Sequence, residues 1–393
     1  MQKIEYDIWL KIITEGYDRK TEWFQPRIGI IPPATAILTM TKAQLWGSDI
    51  FQGTYLMRSD DHGQTWSKPL NQENLQRRSL PDGAQVCPCD LTLQWHAGTG
   101  KILLTGHTAV YDAGAQGNLQ SGNTHERQAI YAVYDEKAGK ILPWEALLMP
   151  DHEKFYWCGA GCAQRVDLPN GEILLPVYFM DRKSVGENFW KSCFVTTVVR
   201  CEFDGTRLTY LEHGDELSVP VPRGFCEPSL VFFDGRFFLT LRNDAKGYVT
   251  TGRDGLHYDK VIPWVFDDGQ ELGSYNTQQH WVTLSSGLFL VYTRRDARND
   301  RVIRHRAPLF MAQVDPENLC VIRATERILV PDYGAQHGNF GALNAWPDES
   351  WVVTAEGMHG DAKDCHNLEL TERRGANNRV YLCRLMGNGS NAK

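Results

Sequence analysis

The strongest constraint on the fold is a phrase that recurs six times along the chain, a turn followed by a short apolar strand. Its central residues are spaced by 65, 71, 64, 51 and 63 residues. Steps of this size leave room for several strands per unit and are typical of a β-propeller. The copies are PPATAILTM (32–40), HAGTGKILLTG (96–106), LPNGEILLPVY (168–178), FFDGRFFLTLR (232–242), LSSGLFLVYTR (284–294) and WPDESWVVTAE (346–356), compared at Ile37, Ile102, Ile173, Phe237, Leu288 and Trp351. The sequence therefore predicts an all-β fold, a six-bladed β-propeller.

Local patterns agree with this fold class. Helix-like periodicity is scarce, whereas short β-branched and aromatic runs bounded by Gly, Pro, Asn and Asp occur throughout. A doubly wound α/β fold is disfavoured because nothing helical alternates with the strands. No Pro-, Gly- or Ser-rich linker divides the chain, so we predict one propeller domain over residues 1–393. We also expect the strand-like residues 5–13 to pair with 379–386 and close the ring.

Composition and charge narrow the possible partners. The chain of 393 residues has a formal net charge of −7, so no basic face suggests nucleic acid. The longest uncharged apolar run, 28–40, holds two prolines and is too short to span a bilayer. Charges are scattered through the first residues, which argues against a secretory signal. We expect a cytoplasmic protein without a membrane partner, or a secreted one if a leader has been removed; the oligomeric state stays open.

The ten cysteines show no spacing typical of a disulfide framework. Cys87-x-Cys89 and Cys158-x3-Cys162 are close enough in sequence to be metal ligands, but neither has a second pair at zinc-finger distance. We therefore expect structural or free thiols, with no metal site and no other cofactor.

The stretch SDDHGQTW at 59–66 fits the pattern Ser-x-Asp-x-Gly-x-Thr-Trp at every fixed position. This pattern is the Asp-box, or BNR repeat, and the chain resembles the sialidase (neuraminidase) superfamily of six-bladed propellers. A degenerate copy, GRDGLHY, follows at 252–258. The resemblance implies hairpin turns remote from the active site. The residue chemistry agrees, because an Asp side chain satisfies turn amides while the aromatic residue packs between strands.

The resemblance also implies three arginines that hold a sugar carboxylate, since planar guanidinium groups match a carboxylate through paired hydrogen bonds. Arg27 lies in PRIGIIP (26–32), similar to the family's first arginine phrase. The most specific match is CEPSLVFFDGRFFLTLR (226–242), in which Glu227 corresponds to a buried glutamate and Arg242 to the second arginine. Arg306, which lies among several other arginines in sequence, resembles the third.

Further site residues follow from the same resemblance. Asp49 lies ten residues before Ser59, where the family has its general acid/base, the role that a retaining mechanism requires. Gln164, within CGAGCAQRVDLPNGEILLPVY (158–178), is expected to bond sugar hydroxyls. Similar positions in the fifth and sixth units include Asn276, His280, His337 and Asn339.

The sequence departs from the family at the nucleophile. Sialidases use a tyrosine, commonly followed by Glu, where this chain has Ala355-Glu356. A tyrosine from elsewhere, Tyr333 or Tyr275, could take its place. Alternatively Glu227, Glu356, His337 or His359 could act, or the protein could bind without turnover. A carboxylate pair about 5 Å apart would favour retention of configuration and a wider gap would favour inversion.

The resemblance thus implies an exo-glycosidase that hydrolyses a terminal carboxylated sugar, sialic acid or a related acid. Arg27, Arg242 and Arg306 would bind the carboxylate, and Gln164, His280 and His337 other parts of the sugar. Asp49, Glu227 and Glu356 form the predicted catalytic set. An acidic-sugar lyase on the same fold and a non-catalytic carbohydrate-binding propeller are the alternatives.

Overall fold

The structure, a computed structural model, describes residues 3–15, 17–45, 49–112, 125–185, 192–295, 298–360, 364 and 367–387. It is nearly all β, and its six sheets are arranged as a six-bladed β-propeller. The predicted fold class is therefore confirmed.

The strands are 2 to 12 residues long. In chain order they are β1 (Tyr6–Thr14), β2 (Thr21–Ile31), β3 (Thr35–Gln44), β4 (Phe51–Ser59), β5 (Leu70–Gln76), β6 (Arg78–Ser79), β7 (Gln85–His96), β8 (Lys101–Tyr111), β9 (Ala129–Asp135), β10 (Lys140–Ile141), β11 (Glu145–Ala146), β12 (Trp157–Gly159), β13 (Val166–Asp167), β14 (Ile173–Met180) and β15 (Cys193–Phe203). They continue as β16 (Leu208–His213), β17 (Arg223–Gly224), β18 (Cys226–Phe233), β19 (Arg236–Arg242), β20 (Tyr248–Gly252), β21 (Ile262–Pro263), β22 (His280–Leu284), β23 (Gly287–Tyr292), β24 (Leu309–Asp315), β25 (Cys320–Val321), β26 (Arg327–Val330), β27 (Gly341–Trp346), β28 (Glu349–Ala355) and β29 (Val380–Gly387). Helical elements in the described ranges are α1 (Leu368–Arg373) and two 3-10 turns, Ile303–His305 and Arg323–Thr325.

Each sheet contains one copy of the repeated phrase. The strand orders are β2-β3-β4-β5, β10-β9-β8-β7-β6, β12-β14-β15-β16, β18-β19-β20-β21, β22-β23-β24-β25 and β1-β29-β28-β27, with β11, β13, β17 and β26 added at the side. The six phrases supply β3, β8, β14, β19, β23 and β28. All six central residues used to measure the period are buried. A strand with a neighbour on both edges and both faces covered is apolar along its whole length. This is why the strand of the repeated phrase is the one that the sequence pattern detects.

The predicted pairing of the chain's two ends is confirmed. β1 runs antiparallel to β29, with Tyr6 opposite Gly387 and Leu10 opposite Cys383. The Tyr6 ring packs edge-on against Phe289 at 5.4 Å between ring centroids. The sixth sheet therefore takes its outer strand from the beginning of the sequence.

The chain divides into two compact units. One comprises residues 1–27, 240–250 and 260–393, and the other 28–239 and 251–259. The first has an apolar core around Val291, Met311 and Val352. The second has apolar cores around Leu93 and Leu104, around Val177 and Val199, and around Tyr178 and Phe194. The assignment of 1–393 to one domain stays a prediction.

Two sequence-based expectations concern the thiols and the membrane. No disulfide links the nine cysteines that the structure describes. Within the described ranges, no helix combines the length and apolar character needed to cross a lipid bilayer.

The octet at 59–66 is a turn after β4 that is closed by its own side chains. Asp61 Oδ1 accepts from the Ser59 hydroxyl at 2.8 Å and from the Thr65 amide at 2.9 Å. These hydrogen bonds, with that of the Thr65 hydroxyl the largest, lower the pKa of Asp61 to about 2. Trp66 Nε1 donates to the Gly63 carbonyl at 3.2 Å, and in the turn at 252–258 Tyr258 donates to the Gly255 carbonyl at 2.8 Å. The same aromatic-to-glycine bond closes both turns.

Candidate functional site

Two of the predicted arginines meet at one asparagine. Arg242 Nη2 donates to Asn276 Oδ1 at 2.8 Å, and Arg306 Nε donates to the Asn276 main-chain oxygen at 3.2 Å. Arg306 Nη1 also donates to Gln336 Oε1 at 3.3 Å, and Arg242 Nη2 lies 3.3 Å from Asp244. Both guanidinium groups belong to buried residues. Asn276 therefore fixes the positions of two cations that lie 64 residues apart in sequence.

The third predicted arginine lies against a segment that also contacts Arg306. Arg27 Nη1 donates to the Pro26 and Asn339 carbonyls at 2.9 and 3.4 Å. Glycines make room for both side chains, because a Cβ on Gly338 would lie 2.2 Å from Arg306 Cδ, and one on Gly341 would lie 3.1 Å from Arg27 Cδ. Segments 276–278 and 338–340 are joined by a 2.7 Å bond from the Thr277 hydroxyl to the Gly338 carbonyl. All three arginines thus contact two adjacent segments.

The two predicted histidines are buried in the same unit. His280 begins β22, and its ring packs edge-on against Phe340 at 5.1 Å. Burial, together with the charge of Arg27, holds its pKa well below the ordinary value. His337 is also buried, with Nε2 3.1 Å from the Pro331 carbonyl, and burial lowers its pKa. Both rings are therefore neutral at neutral pH.

Glu356 is completely buried and holds a tyrosine that sequence reasoning missed. The Tyr381 hydroxyl donates to Glu356 Oε1 at 2.8 Å, and Arg379 Nη1 donates to the same oxygen at 3.3 Å. Glu356 Oε2 accepts from the main-chain amides of Asn377 and Arg379. Burial, then the charge of Glu356, raises the pKa of Tyr381. No sequence motif marks this pair, because the contact depends on the register between β28 and β29.

In the other compact unit, Asp49 lies in the connection from β3 to β4, as the resemblance implies. It is exposed and has a left-handed backbone with φ of 57°. The Tyr111 hydroxyl donates to the Asp49 carbonyl at 2.8 Å and accepts from the Phe51 amide at 3.1 Å. These two hydrogen bonds hold the main chain on both sides of Ile50.

Glu227 and Gln164 belong to the same unit as Asp49. Glu227 is the second residue of β18 and is half-buried. The Gln164 carbonyl accepts from the Leu230 amide at 3.0 Å, so Gln164 runs beside the same strand. Tyr178, which sequence reasoning missed, interacts electrostatically with Glu227. Burial raises the pKa of Tyr178 well above its ordinary value, Arg127 opposes this, and Glu227 adds to it.

A left-handed backbone recurs in or beside the strand that precedes the repeated phrase. Five units carry a non-glycine residue there with φ between 44° and 59°, namely Gln25, Asp90, Cys162, Glu227 and Asn276. Such conformations cost energy and collect at functional sites. The recurrence therefore singles out these positions independently of the sialidase resemblance.

A row of three hydrogen-bonded side chains begins at Tyr275, the residue before Asn276. The Tyr275 hydroxyl is 2.5 Å from His305 Nδ1, and His305 Nε2 is 3.1 Å from Asp300 Oδ1. His305 and the preceding Arg304 both have positive φ, at 53° and 54°. Tyr275 was one of the tyrosines considered for the place of the expected nucleophile, and the structure joins it to a histidine and a carboxylate.

A cavity of about 530 Å³ lies elsewhere, in the unit that contains Asp49. Its lining includes Arg78 stacked over Trp144 at 3.8 Å, and Tyr131 bonded to Glu145 at 2.8 Å. None of the predicted site residues lines it, so volume alone does not locate the candidate site.

Comparisons with known proteins support the fold class but do not assign the chain to a family. No protein-family model and no curated protein matches the sequence. The fold is similar to that of a protein of unknown function from Dyadobacter fermentans, with a TM-score of 0.62 and 15% identity over 96% of this chain and 99% of that one.

Two sialidases are similar in the same way. Trypanosoma rangeli sialidase in complex with sialic acid has a TM-score of 0.56 and 13% identity over 94% of this chain. NanB sialidase from Streptococcus pneumoniae has a TM-score of 0.61 and 10% identity over 97% of this chain. This chain spans 54% of the first and 71% of the second. At these identities the likeness shows a sialidase-like propeller fold and nothing finer.

Proposed function

We propose that this protein is an exo-glycosidase that hydrolyses a terminal carboxylated sugar, sialic acid or a related acid. The observation that carries the proposal is the convergence of Arg27, Arg242 and Arg306 on the segments 276–278 and 336–341. A sialidase-like fold supports a sugar-acting propeller. One structural neighbour was solved with sialic acid.

The surroundings of the arginines suit an anionic ligand. Neutral oxygens of Asn276, Gln336 and Asn339 accept hydrogen bonds from the three guanidinium groups. These neutral acceptors orient the guanidinium groups without cancelling their charge, so the groups stay attractive to a carboxylate. Asp244, 3.3 Å from Arg242 Nη2, offsets part of the charge of that one arginine. Rigid partners that lock each rotamer reduce the entropy lost when the ligand binds.

The catalytic roles are assigned from the resemblance to sialidases. Asp49 acts as general acid towards the glycosidic oxygen and then as base towards water, and Glu227 acts as base partner or nucleophile. Glu356 is assigned to the same catalytic set, although its carboxylate already accepts four hydrogen bonds. Separate Asp49→Asn and Glu227→Gln variants test the first two roles without changing side-chain size.

The primary experiment compares wild type, Arg242→Gln and Arg236→Gln on a fluorogenic sialoside and by calorimetry with free sialic acid. Arg236 is the matched control, because it begins the strand that Arg242 ends. We expect release of the reporter by wild type, and an affinity reduced by at least about tenfold in Arg242→Gln alone. Unchanged affinity in Arg242→Gln contradicts the carboxylate site. Binding without release at every pH identifies a carbohydrate-binding propeller instead.

A second candidate function, an acidic-sugar lyase, is favoured by the Tyr275–His305–Asp300 chain. In that reaction a base removes the proton from the carbon beside the carboxylate. The electron pair forms a C=C bond as the bond to the leaving sugar breaks, and the leaving oxygen takes up a proton. The unsaturated product absorbs in the ultraviolet, whereas hydrolysis gives a saturated sugar. A substrate that ends in a uronic acid, whose carbon beside the carboxylate bears a proton, separates the two, and Tyr275→Phe abolishes activity in the lyase case only. The corresponding carbon of a sialoside bears no proton, so that substrate tests hydrolysis alone.

A further inference from the structure

Two cysteine motifs of the sequence each contribute one thiol to a buried polar cluster. The donor atoms of Cys89, Asp90 and His107 all lie within 4.8 Å of one another, and all three residues are buried. The Cys162 thiol, which is outside this group of three, donates to Asp90 Oδ1 at 3.0 Å. Cys89 comes from the Cys87-x-Cys89 motif and Cys162 from Cys158-x3-Cys162. The two cysteine motifs thus meet at Asp90, and neither needs a second cysteine pair farther along the sequence.

Strand geometry explains how neighbouring residues reach one point. Successive side chains on a regular strand point to opposite faces, which would separate Cys89 from Asp90. Here the register of β7 against β8 shifts between Cys89 and Thr92, and Asp90 has φ of 52°. A bulge of this kind re-aims a side chain. Cys89 is paired directly with His107 on β8, so three donors come from one irregularity in one hairpin.

The segment after β12 closes the cluster from the other side. The Cys162 amide donates to the Asp90 carbonyl at 3.4 Å. A Cβ on Gly161 would lie 2.0 Å from His107 Nδ1 and 2.8 Å from Asp90 Cβ, so only glycine permits this approach. Cys162 itself is held with φ of 59°.

One ring nitrogen of His107 faces the Asp90 carboxylate. His107 is buried and its Nε2 lies 3.8 Å from Asp90 Oδ2, whereas its Nδ1 has no hydrogen-bond partner among the residues that the structure describes. Gly161 covers Nδ1, so Nε2, the nitrogen that faces the Asp90 carboxylate, is the one available to an ion.

We propose that Cys89, Asp90, His107 and Cys162 bind one Zn²⁺ ion. Two thiolates, one imidazole and one carboxylate make a four-donor set that suits tetrahedral zinc, whereas Mg²⁺ and Ca²⁺ prefer oxygen ligands. Four protein donors leave no open position, so the ion is structural and links β7 and β8 to the segment after β12. The inference does not depend on the proposed glycosidase activity.

The test uses the full-length protein, stripped with a chelator and then titrated with Co²⁺ as a spectroscopic substitute for Zn²⁺. Wild type is expected to bind one ion and to show thiolate-to-cobalt absorption in the near ultraviolet with visible bands of tetrahedral cobalt. Cys89→Ser and Cys162→Ser should each lower that thiolate absorption by about half and weaken zinc binding by at least about tenfold. Cys87→Ser, a buried cysteine on the same strand, is the matched control and should behave as wild type.

Each outcome decides the matter. Wild type that binds no stoichiometric Zn²⁺ and gives no thiolate-to-cobalt absorption overturns the proposal, even if some variants fail to fold. An equal loss in Cys87→Ser and Cys89→Ser also overturns it. Zn²⁺ should raise the melting temperature of wild type and leave that of folded His107→Phe unchanged. Because Arg242→Gln should keep the cobalt spectrum, failure of the sugar site and failure of the zinc site are distinguishable.

Discussion

The Asn276 side chain accepts a hydrogen bond of 2.8 Å from Arg242 while its main-chain oxygen accepts from Arg306. Asn276 has φ of 51°, a region in which asparagine and aspartate are several-fold enriched among non-glycine residues. The backbone conformation turns both oxygens of one residue towards two guanidinium groups. The proposed carboxylate-binding geometry therefore depends on a residue that carries no charge.

Asn276→Asp should abolish carboxylate binding without unfolding the protein. Aspartate keeps the shape and tolerates the same φ, but its charge occupies the two guanidinium groups and repels an anionic sugar. We expect affinity for sialic acid to fall by at least about tenfold, measured by calorimetry. The melting temperature should stay the same or rise, because the new carboxylate adds an anion beside two buried guanidinium groups.

A control for added charge is Asn170→Asp, in an exposed turn where Asn170 Oδ1 already accepts from the Glu172 amide. It should bind sugar like wild type. If Asn276→Asp binds sialic acid normally, Arg242 and Arg306 do not form the anion site.

Glu356→Ala should destabilise the protein severely. It leaves the Tyr381 hydroxyl, Arg379 and two main-chain amides without their buried acceptor. Loss of one partner of a buried charged network costs about 3–5 kcal/mol, and Tyr381→Phe, which removes one donor, should cost about 1 kcal/mol. Urea unfolding followed by tryptophan fluorescence measures both changes.

Glu369→Ala, an exposed carboxylate on α1, provides the comparison and should change the unfolding free energy by less than about 0.5 kcal/mol. A Glu356→Ala variant as stable as Glu369→Ala would show that the network is not structural. Glu356→Gln that folds normally but loses activity would support its predicted catalytic role.

The sequence predicted the architecture well because its periodic signal comes from strands buried on both faces. Ile37, Ile173 and Trp351 are each about as buried as a side chain can be, and the phrase around them survives large differences in loop length. The pairing of β1 with β29 followed from the same signal at the two ends.

Site contacts were harder to predict because they depend on register and bulges. Separate motifs indicate Arg27, Arg242 and Arg306, but nothing in the sequence indicates that Asn276 lies between two of them. Cys89 and Asp90 are adjacent in sequence and would point apart on a regular strand. Only the register shift in β7 brings both side chains to His107.

Asp61→Ala should lower the melting temperature in a pH-dependent way. The pKa of Asp61 is lowered to about 2 in the folded protein, against about 3.9 when unfolded. The ionised carboxylate therefore stabilises the turn above about pH 4, and this contribution is lost as the pH falls through the folded pKa. The difference between the melting temperatures of wild type and Asp61→Ala, measured by calorimetry, should shrink between pH 5 and pH 2.

Asp61→Asn separates the charge from the hydrogen bonds of this turn. The amide oxygen can still accept from Ser59 and Thr65 but does not titrate. Its difference from Asp61→Ala should therefore be constant with pH. A wild-type difference that is equally constant would mean that the Asp61 charge contributes nothing to stability.

Tyr6→Ala should release β1 from the sixth sheet, whereas Trp9→Ala should have little effect. The Tyr6 ring lies in the apolar core against Phe289, and truncation of a buried aromatic residue costs about 3–5 kcal/mol. Trp9 lies on the same strand but is 62% exposed, so its removal should change the unfolding free energy by less than about 0.5 kcal/mol. Amide hydrogen exchange gives the sharper measurement, because β29 pairs with β1 on one edge and with β28 on the other. If β1 detaches, only the alternate β29 amides that face β1 should exchange faster in Tyr6→Ala. Equal acceleration along all of β29 would mean that the whole sheet loosens and that β1 is not a separate closing strand.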